Sequence, residues 1–376
     1  MISIFIILSS LNYGGAERQL INLLRSLNKK KFKPTVVTYY HGGIWEEAVR
    51  NIPGVAFTSL GMKGRFDLFR MFVKGAYLIR KHRPHILYGL LGDSCTLAFI
   101  LGKLFRKRII WGLRATNVNF KEYAVFSGMV YRLNAFLSQW VDRIICNSWS
   151  GIEYHSSLGY KWGNMVVVPN GIDISFFRHR LSESKILRES WGLPLDAYLI
   201  GRVGRLDQMK DYSTFLKAAA IISDRKKEVY FAIVGEGTKE IKADLVHLSR
   251  SLGIGDRVIW LGPQENLPPL YSTFTMSCSS SYGESFPNVI AESLACETPC
   301  VATDVGDSVR VLGPGGIVVP PKNPSALANA FEEMLSLSEK SLGEIGKKGR
   351  NHICQKFGIE KMVRDTENIL ISLMAG

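Results

Sequence analysis

The stretch YLIGRVGRLDQMKD, residues 198–211, runs from an apolar segment through Gly201 and Gly204 into a charged loop, after which a helical pattern begins. An apolar run without polar alternation suits a parallel strand buried on both faces, and the helix that follows suits a parallel crossover. Further runs of this kind continue the series at 229–234, 257–260, 275–278, 299–302 and 316–319. Upstream lies an earlier series at 2–8, 35–39, 55–59, 85–88, 108–111, 143–146 and 165–168. Amphipathic stretches separate the runs, so the fold class is α/β, with two doubly wound parallel-sheet units. A chain of 376 residues also exceeds what one hydrophobic core usually serves. The expected division is residues 1–170 and 171–358, with a breaker-rich interdomain linker at 171–195 entered through the turn Pro169-Asn170-Gly171. Ligands of open parallel sheets bind outside the carboxyl ends of the strands, so two such domains facing each other would hold substrate in a cleft between them.

Composition narrows the function classes. Residues 1–170 carry 23 Lys and Arg against 8 Asp and Glu, whereas residues 171–376 carry 24 against 25, so the net charge of +14 is entirely N-terminal. A one-sided basic field suits an anionic membrane surface or a nucleic acid, and no nucleic-acid-binding signature accompanies it. The six cysteines show no C-x-x-C pair or Cys/His spacing, which favours buried reduced thiols over zinc or a disulfide framework. The apolar start at 1–8 lacks a basic flank and falls far short of the roughly 20 residues of a membrane span. It reads as a first strand of a cytoplasmic protein.

Three segments can carry chemistry. After the first strand, Asn12-Tyr13-Gly14-Gly15-Ala16-Glu17 turns into a helical pattern of Leu20, Ile21, Leu24 and Leu27. Gly14 and Gly15 could present backbone N–H groups and a helix N-terminus to a phosphate, or could form a plain tight turn. In the opening stretch, Arg205 and Lys210 could grip a diphosphate together, a guanidinium fork beside a point charge. Its glycines, with Gly235 and Gly237 after the next strand, fall short of a dinucleotide fingerprint, so no nicotinamide cofactor is expected. The third segment is Gly283-Glu284-Ser285-Phe286-Pro287-Asn288-Val289-Ile290-Ala291-Glu292-Ser293-Leu294-Ala295. Pro287 and Asn288 would start a helix whose positive end faces a phosphate. Glu292, one turn inside it, could accept hydrogen bonds from ribose hydroxyls or stand exposed on the helix; Glu284 stands in the loop before it. No D-x-D pair is seen, because Asp304 and Asp307 lack nearby ligands, and no metal site is expected.

The third segment resembles the Glu, seven residues, Glu motif of the large family of retaining glycosyltransferases with the GT-B fold, the glycosyltransferase family 4 and group 1 enzymes of bacterial polysaccharide and glycolipid assembly. Similarity extends over nearly the whole chain, through Gly14-Gly15-Ala16-Glu17, Asn147-Ser148, Val168-Pro169-Asn170-Gly171-Ile172-Asp173, Gly204-Arg205 with Lys210, Val234-Gly235-Glu236-Gly237 and Thr303-Asp304-Val305-Gly306. The resemblance implies an acceptor mainly on the N-terminal domain, a donor nucleotide mainly on the C-terminal one, and a last helix near 359–373 crossing back onto the N-terminal domain. It also implies that Arg205, Lys210 and backbone amides near Asn288 and Val289 hold the diphosphate, with Gly235, Ser285, Phe286 and Pro287 belonging to the same motifs. Glu292 would hold the ribose, and Glu284 would contact the transferred sugar. One departure stands out: many family members place a His after an N-domain strand, where this chain has Trp111-Gly112-Leu113-Arg114-Ala115-Thr116-Asn117. Arg114 takes that place as a permanent cation, suited to an anionic acceptor or the donor phosphate. His85 and His155 read as structural.

The expected reaction is transfer of a sugar from a UDP- or GDP-sugar to an acceptor hydroxyl, with retention and without a metal or other cofactor. An epimerase on the same architecture and a non-catalytic nucleotide-sugar-binding subunit remain the alternatives. Two stretches, at 63–74 and 99–108, interleave basic and large apolar residues. Together with the N-terminal charge they point to docking on the inner face of a membrane and to a lipid-linked glycan acceptor, although helices flanking a sheet can show the same pattern.

Overall fold

The computed structural model describes residues 1–12, 14–64, 67–114, 125–194, 196–226 and 228–375, with the side chains of 125–127 excepted. Among the described residues, thirteen strands form two sheets. The first sheet holds β1 (Ile2–Leu8), β2 (Phe32–Thr38), β3 (Ala56–Ser59), β4 (Ile86–Leu90), β5 (Arg108–Leu113), β6 (Arg143–Cys146) and β7 (Met165–Val167). The second holds β8 (Tyr198–Val203), β9 (Val229–Val234), β10 (Val258–Gly262), β11 (Met276–Ser279), β12 (Cys300–Thr303) and β13 (Gly316–Val319). Pairings between neighbours are parallel throughout, as runs buried on both faces demand.

The chain divides into two compact units, residues 1–171 with 359–376 and residues 172–358. In the first unit the strand order is β3-β2-β1-β4-β5-β6-β7, which reverses direction between β1 and β4. Helix Gly15–Ser26 covers one face through Leu20, Ile21, Leu23 and Leu24, and the last helix, Ile359–Ala375, adds Met362, Val363, Leu370 and Leu373 to the same core. Gln19 ties the end of this stretch to the helix, accepting from Gly171 N at 2.9 Å and donating to Gly171 O at 3.1 Å. A side chain at Gly171 would come within 2.8 Å of the Ile359 backbone, so the close entry of the last helix needs glycine there.

The second unit runs β10-β9-β8-β11-β12-β13, reversing between β8 and β11. Its core on one face centres on Phe215, set edge-on to Phe231 and Phe331 at 6.0 and 6.4 Å. Strand β8 needs its glycine, since a Cβ at Gly201 would stand 2.1 Å from ring carbons of Phe274. The expected linker at 171–195 is instead folded into this unit from Ile172 onward, apart from Leu195, which lies outside the described residues. It contains the helix Leu181–Ser190; Phe177 and Leu193 enter the core, and Arg188 bonds the carbonyls of Thr273 and Ala197 at 2.9 and 2.5 Å. Charge and breakers read as a linker because the few apolar anchors are spaced widely among them. Five of the six cysteines are buried and all are free, with burial pushing the Cys300 thiol up to about 11.

Candidate functional site

A reversal of strand order leaves two neighbouring loops leaving the sheet in opposite directions, and the crevice this opens is where doubly wound sheets bind ligands. In the second unit that place lies beyond the carboxyl ends of β8 and β11. The loop after β8 turns at Gly204, with φ of +148°, and runs through Arg205 to a short 3-10 turn, Gln208–Lys210. Asp207 accepts from Lys210 N at 3.1 Å, and Asp211, in the left-handed region at φ +47°, caps helix Tyr212–Arg225 by accepting from Thr214 N at 3.1 Å. The loop is therefore held from both ends by carboxylates.

The loop after β11 runs back over it. Ser280 donates to the carbonyls of Lys210 and Asp211 at 3.1 and 3.0 Å, and Tyr282 N donates to Met209 O at 3.0 Å. The result is a direct meeting of two residues singled out from sequence: Lys210 Nζ lies 2.5 Å from Glu284 Oε1, and Ser281 donates to that same oxygen at 2.8 Å. Both side chains are largely shielded, 21% and 9% exposed, which makes the pair stronger than a surface contact. Arg205 stands apart from it, 83% exposed and paired with Asp207 Oδ2 at 3.1 Å.

Glycines let the surrounding loops approach. A Cβ on Gly235, at φ +143°, would lie 1.9 Å from Gly204 O, so the turns after β8 and β9 touch through backbone alone. Leu206 N donates to Glu236 O at 2.8 Å beside that contact. A Cβ on Gly306 would meet the Glu284 carbonyl at 2.1 Å, and Asp307 N donates to Ser285 O at 3.1 Å, which fixes the loop after β12 against the one that carries Glu284.

Helix Asn288–Ala295 starts as the residues suggested, with Pro287 as its N-cap and Asn288 and Val289 half-buried in its first turn. Phe286 has a packing role: its ring is buried, edge-on to Phe357 at 5.4 Å, so only its backbone is available to a ligand. Glu292 is buried, with Tyr271 Oη donating to its Oε2 at 3.1 Å, which rules out a solvated surface carboxylate.

In the first unit, the reversal between β1 and β4 puts the Gly14-Gly15 turn at the corresponding place; Tyr13 lies outside the described residues. Glu17, three residues after the Gly14 N-cap, folds back so far that a Cβ on Gly14 would collide with its carboxylate. The helix N-terminus thus carries an anion of its own. Burial raises the Glu17 carboxyl above its ordinary value, opposed by its own backbone N–H and by Arg114. Arg114 Nη1 donates to Asn170 Oδ1 at 2.8 Å; the rest of that stretch, Ala115, Thr116 and Asn117, lies outside the described residues. His85, exposed just before β4, accepts from Ser3 N at 3.0 Å, and His155 is buried and stacked on Tyr131, so the first serves backbone bonding and the second packing.

One residue of the site escaped the sequence reading. Arg202, on β8, is completely buried: its guanidinium donates to the carbonyls of Val203 and Lys210 at 3.1 and 2.8 Å and to Ser281 Oγ at 3.2 Å. Its guanidinium carbon lies 5.0 Å from the centre of the Tyr212 ring. Burial pushes the Tyr212 phenol up to about 12, with Arg202 pulling the other way.

Solved structures share this architecture. HepE of Anabaena in complex with UDP matches with a TM-score of 0.87 and 21% identity over 99% of this chain and 100% of that one. The apo lipopolysaccharide outer core galactosyltransferase WaaB matches at 0.74 with 16% identity over 99% of each. The fold is that of the GT-B glycosyltransferases. A family model described as Glycosyl transferases group 1 matches residues 183–352, and one described as Glycosyltransferase Family 4 matches residues 13–176. The chain belongs to this family. A D-inositol 3-phosphate glycosyltransferase 2 of Catenulispora acidiphila is 31% identical over 58% of this chain and 53% of its own length. EpsF of Bacillus subtilis is 23% identical over 79% and 78%. The chain therefore spans about half the length of the first of these relatives.

Proposed function

We propose that the protein transfers a sugar from a UDP- or GDP-sugar to an acceptor hydroxyl with retention at the anomeric carbon. The observation that carries this reading is the Lys210–Glu284 contact at the β8/β11 reversal, a cation for the diphosphate held against a carboxylate for the sugar. The solved structures of HepE with UDP and with UDP-glucose support the choice of donor class. In the proposed reaction the bond from the anomeric carbon to the diphosphate oxygen breaks, the acceptor oxygen bonds to that carbon from the same face, and the departing diphosphate takes the acceptor proton. Lys210 and Arg205 stabilise the negative charge developing on the leaving group, so the reading calls on neither a metal nor another cofactor. The test is incubation of purified protein with UDP- and GDP-sugars, with and without glycan or glycolipid acceptors. Nucleoside diphosphate released only when acceptor is present supports transfer; an epimerised donor without acceptor, or binding without turnover, overturns it.

The acceptor we infer is lipid-linked, presented at an anionic membrane surface on which the first unit docks. Three neighbouring helices of this unit carry large apolar residues outward at helical spacing: Phe69, Phe72, Val73 and Tyr77 on Leu68–His82, Ile100 and Leu104 on Gly92–Leu104, and Met129, Leu133 and Phe136 on Val125–Leu137. Phe69 is 82% and Phe136 62% exposed, too much apolar surface for a face meant only for water. Arg70, Lys74, Arg80, Lys81, Lys103, Arg106, Lys107 and Arg132 lie on or beside these helices, against Asp93 within them and Asp67, the N-cap of the first, which pairs with Arg70 at 3.8 Å. Cations with apolar stripes suit anionic headgroups above acyl chains. Of the two stretches read from sequence, Arg65 and Phe66 lie outside the described residues. No helix among the described residues is long and apolar enough to cross a membrane, so docking would be peripheral.

A further inference from the structure

We propose that Arg202 is the positioning residue of the donor diphosphate subsite: through the Lys210 carbonyl and the Ser281 hydroxyl it sets where the Lys210 ammonium and the Glu284 carboxylate stand. The inference rests on the reading of Lys210 and Glu284 given above. Arg202 is the last residue but one of an otherwise apolar strand and is fully buried, where an arginine is costly unless its donors are used. Its two terminal nitrogens are used on the ends of β8 and β11 and on the loops that follow them, while the buried Nε finds no partner among the described residues. Nη2 reaches Lys210 O at 2.8 Å and Ser281 Oγ at 3.2 Å, while Nη1 reaches Val203 O at 3.1 Å and Cys278 O at 3.5 Å. One planar group thus joins the carboxyl ends of β8 and β11, the two strands between which the sheet reverses. Ser281 passes the constraint on, since the hydroxyl that accepts from Arg202 donates to Glu284 Oε1 at 2.8 Å. Tyr212 completes the support, its ring beneath the guanidinium and its hydroxyl donating to Gly204 O at 2.7 Å, so the start of the Arg205 loop is anchored to the same assembly.

Among the described residues no carboxylate touches Arg202. Glu284 is reached through the Ser281 hydroxyl instead, so Arg202 acts by holding the two loops in place. Lysine could not replace this function, because a single ammonium cannot span four acceptors in one plane.

The test is a double-mutant cycle between Arg202→Met and Lys210→Ala, read by titration calorimetry with UDP and GDP and by donor and acceptor KM and kcat, with thermal melting as the fold control. Arg202→Met is expected to weaken nucleotide binding about tenfold and to raise donor KM while acceptor KM is unchanged. In the Lys210→Ala background it should have little further effect, because its action runs through Lys210. Arg202→Lys should not restore binding. If Arg202→Met does not fold, Ser281→Ala and Tyr212→Phe take its place in the cycle with smaller effects in the same direction. A folded Arg202→Met with wild-type nucleotide affinity, or effects that simply add to those of Lys210→Ala, overturns the proposal. Failure of Lys210→Ala itself to weaken binding would instead remove the underlying reading of the subsite.

Discussion

Lys210 and Glu284 are 74 residues apart and meet at 2.5 Å, with the Ser281 hydroxyl bonded to the same carboxylate oxygen. Each is placed by a loop leaving one of the two strands at which the sheet reverses, and each loop is bonded to the other through Ser280 and Tyr282. A phosphate arriving at Lys210 would compete with Glu284 for the ammonium. The two members of the pair should then respond differently to mutation.

Lys210→Ala removes the cation and should weaken UDP or GDP binding about ten- to hundredfold, which corresponds to roughly 1.5–3 kcal/mol for a charged hydrogen bond. Arg205→Ala should weaken binding in the same direction, since it removes the exposed guanidinium of the same loop. Glu284→Gln leaves Lys210 without its anionic competitor, so nucleotide binding should hold or tighten while turnover falls. Calorimetry with the nucleoside diphosphates, set beside steady-state rates, separates the three. Unchanged affinity in both cation mutants would remove the diphosphate assignment.

Glu292→Gln should raise donor KM and lower activity with little change in melting temperature, because the amide can still accept from Tyr271 while offering ribose hydroxyls a weaker acceptor. Tyr271→Phe, which loosens the carboxylate without touching its charge, should produce a smaller change in the same direction. Wild-type kinetics in both variants would leave Glu292 as a packing residue only.

The strands are legible where an apolar run is closed by a turn, and β1, β6, β9 and β13 have the boundaries that the sequence suggests. Strand β2 spans Phe32–Thr38, so the run at 35–39 begins three residues late and ends one residue beyond it. Lys33 and Pro34 interrupt its pattern, and pairing with β3 begins only at Thr35. Helix Leu181–Ser190 is hidden for a different reason: with only Ser184 fully buried on it, it shows scarcely any apolar face, and Arg188 bonds the Thr273 carbonyl, which is distant in the chain. At the site, Lys210, Glu284 and Glu292 could be read because each belongs to a local motif. Arg202 could not. Its burial is created by two loops folding over it, one of them some 80 residues downstream, and no local spacing encodes that. The single signal was a charge inside an apolar strand, which on its own reads equally well as a strand end in water.

Gly235→Ala should destabilise the second unit and distort the turn after β8. The new methyl would stand 1.9 Å from Gly204 O, at a φ of +143° that alanine rarely adopts. An overpacking cost of about 1–3 kcal/mol would lower the melting temperature by several degrees in a unit of this size. Nucleotide affinity should fall as well, since the turn that moves leads directly to Arg205. Gly253→Ala is the control: it also has positive φ, but its Cβ would meet nothing within 4 Å. A melting temperature equally lowered in both would attribute the effect to φ alone and not to the contact between the turns.

Membrane docking should require both the apolar stripes and the cations around them. Phe69→Ser with Phe136→Ser removes two well-exposed rings without opening a core cavity, so the fold should survive. Neutralising Lys103, Arg106, Lys107 and Arg108 removes charge without changing the stripes. In co-sedimentation with vesicles of increasing anionic lipid content, the native protein should bind more as the anionic fraction rises and less as salt is added. The Phe double variant should lose binding at every composition, because insertion supplies the affinity that salt does not screen. The neutralised variant should keep a weak, composition-independent remainder. A second copy of the chain is the competing occupant of the face, and it is read in the same samples: a native protein that sediments as a dimer without lipid and turns monomeric in the Phe variant would assign the stripes to self-association. Equal binding to neutral and anionic vesicles, or none to either, would leave a soluble acceptor as well supported as a lipid-linked one.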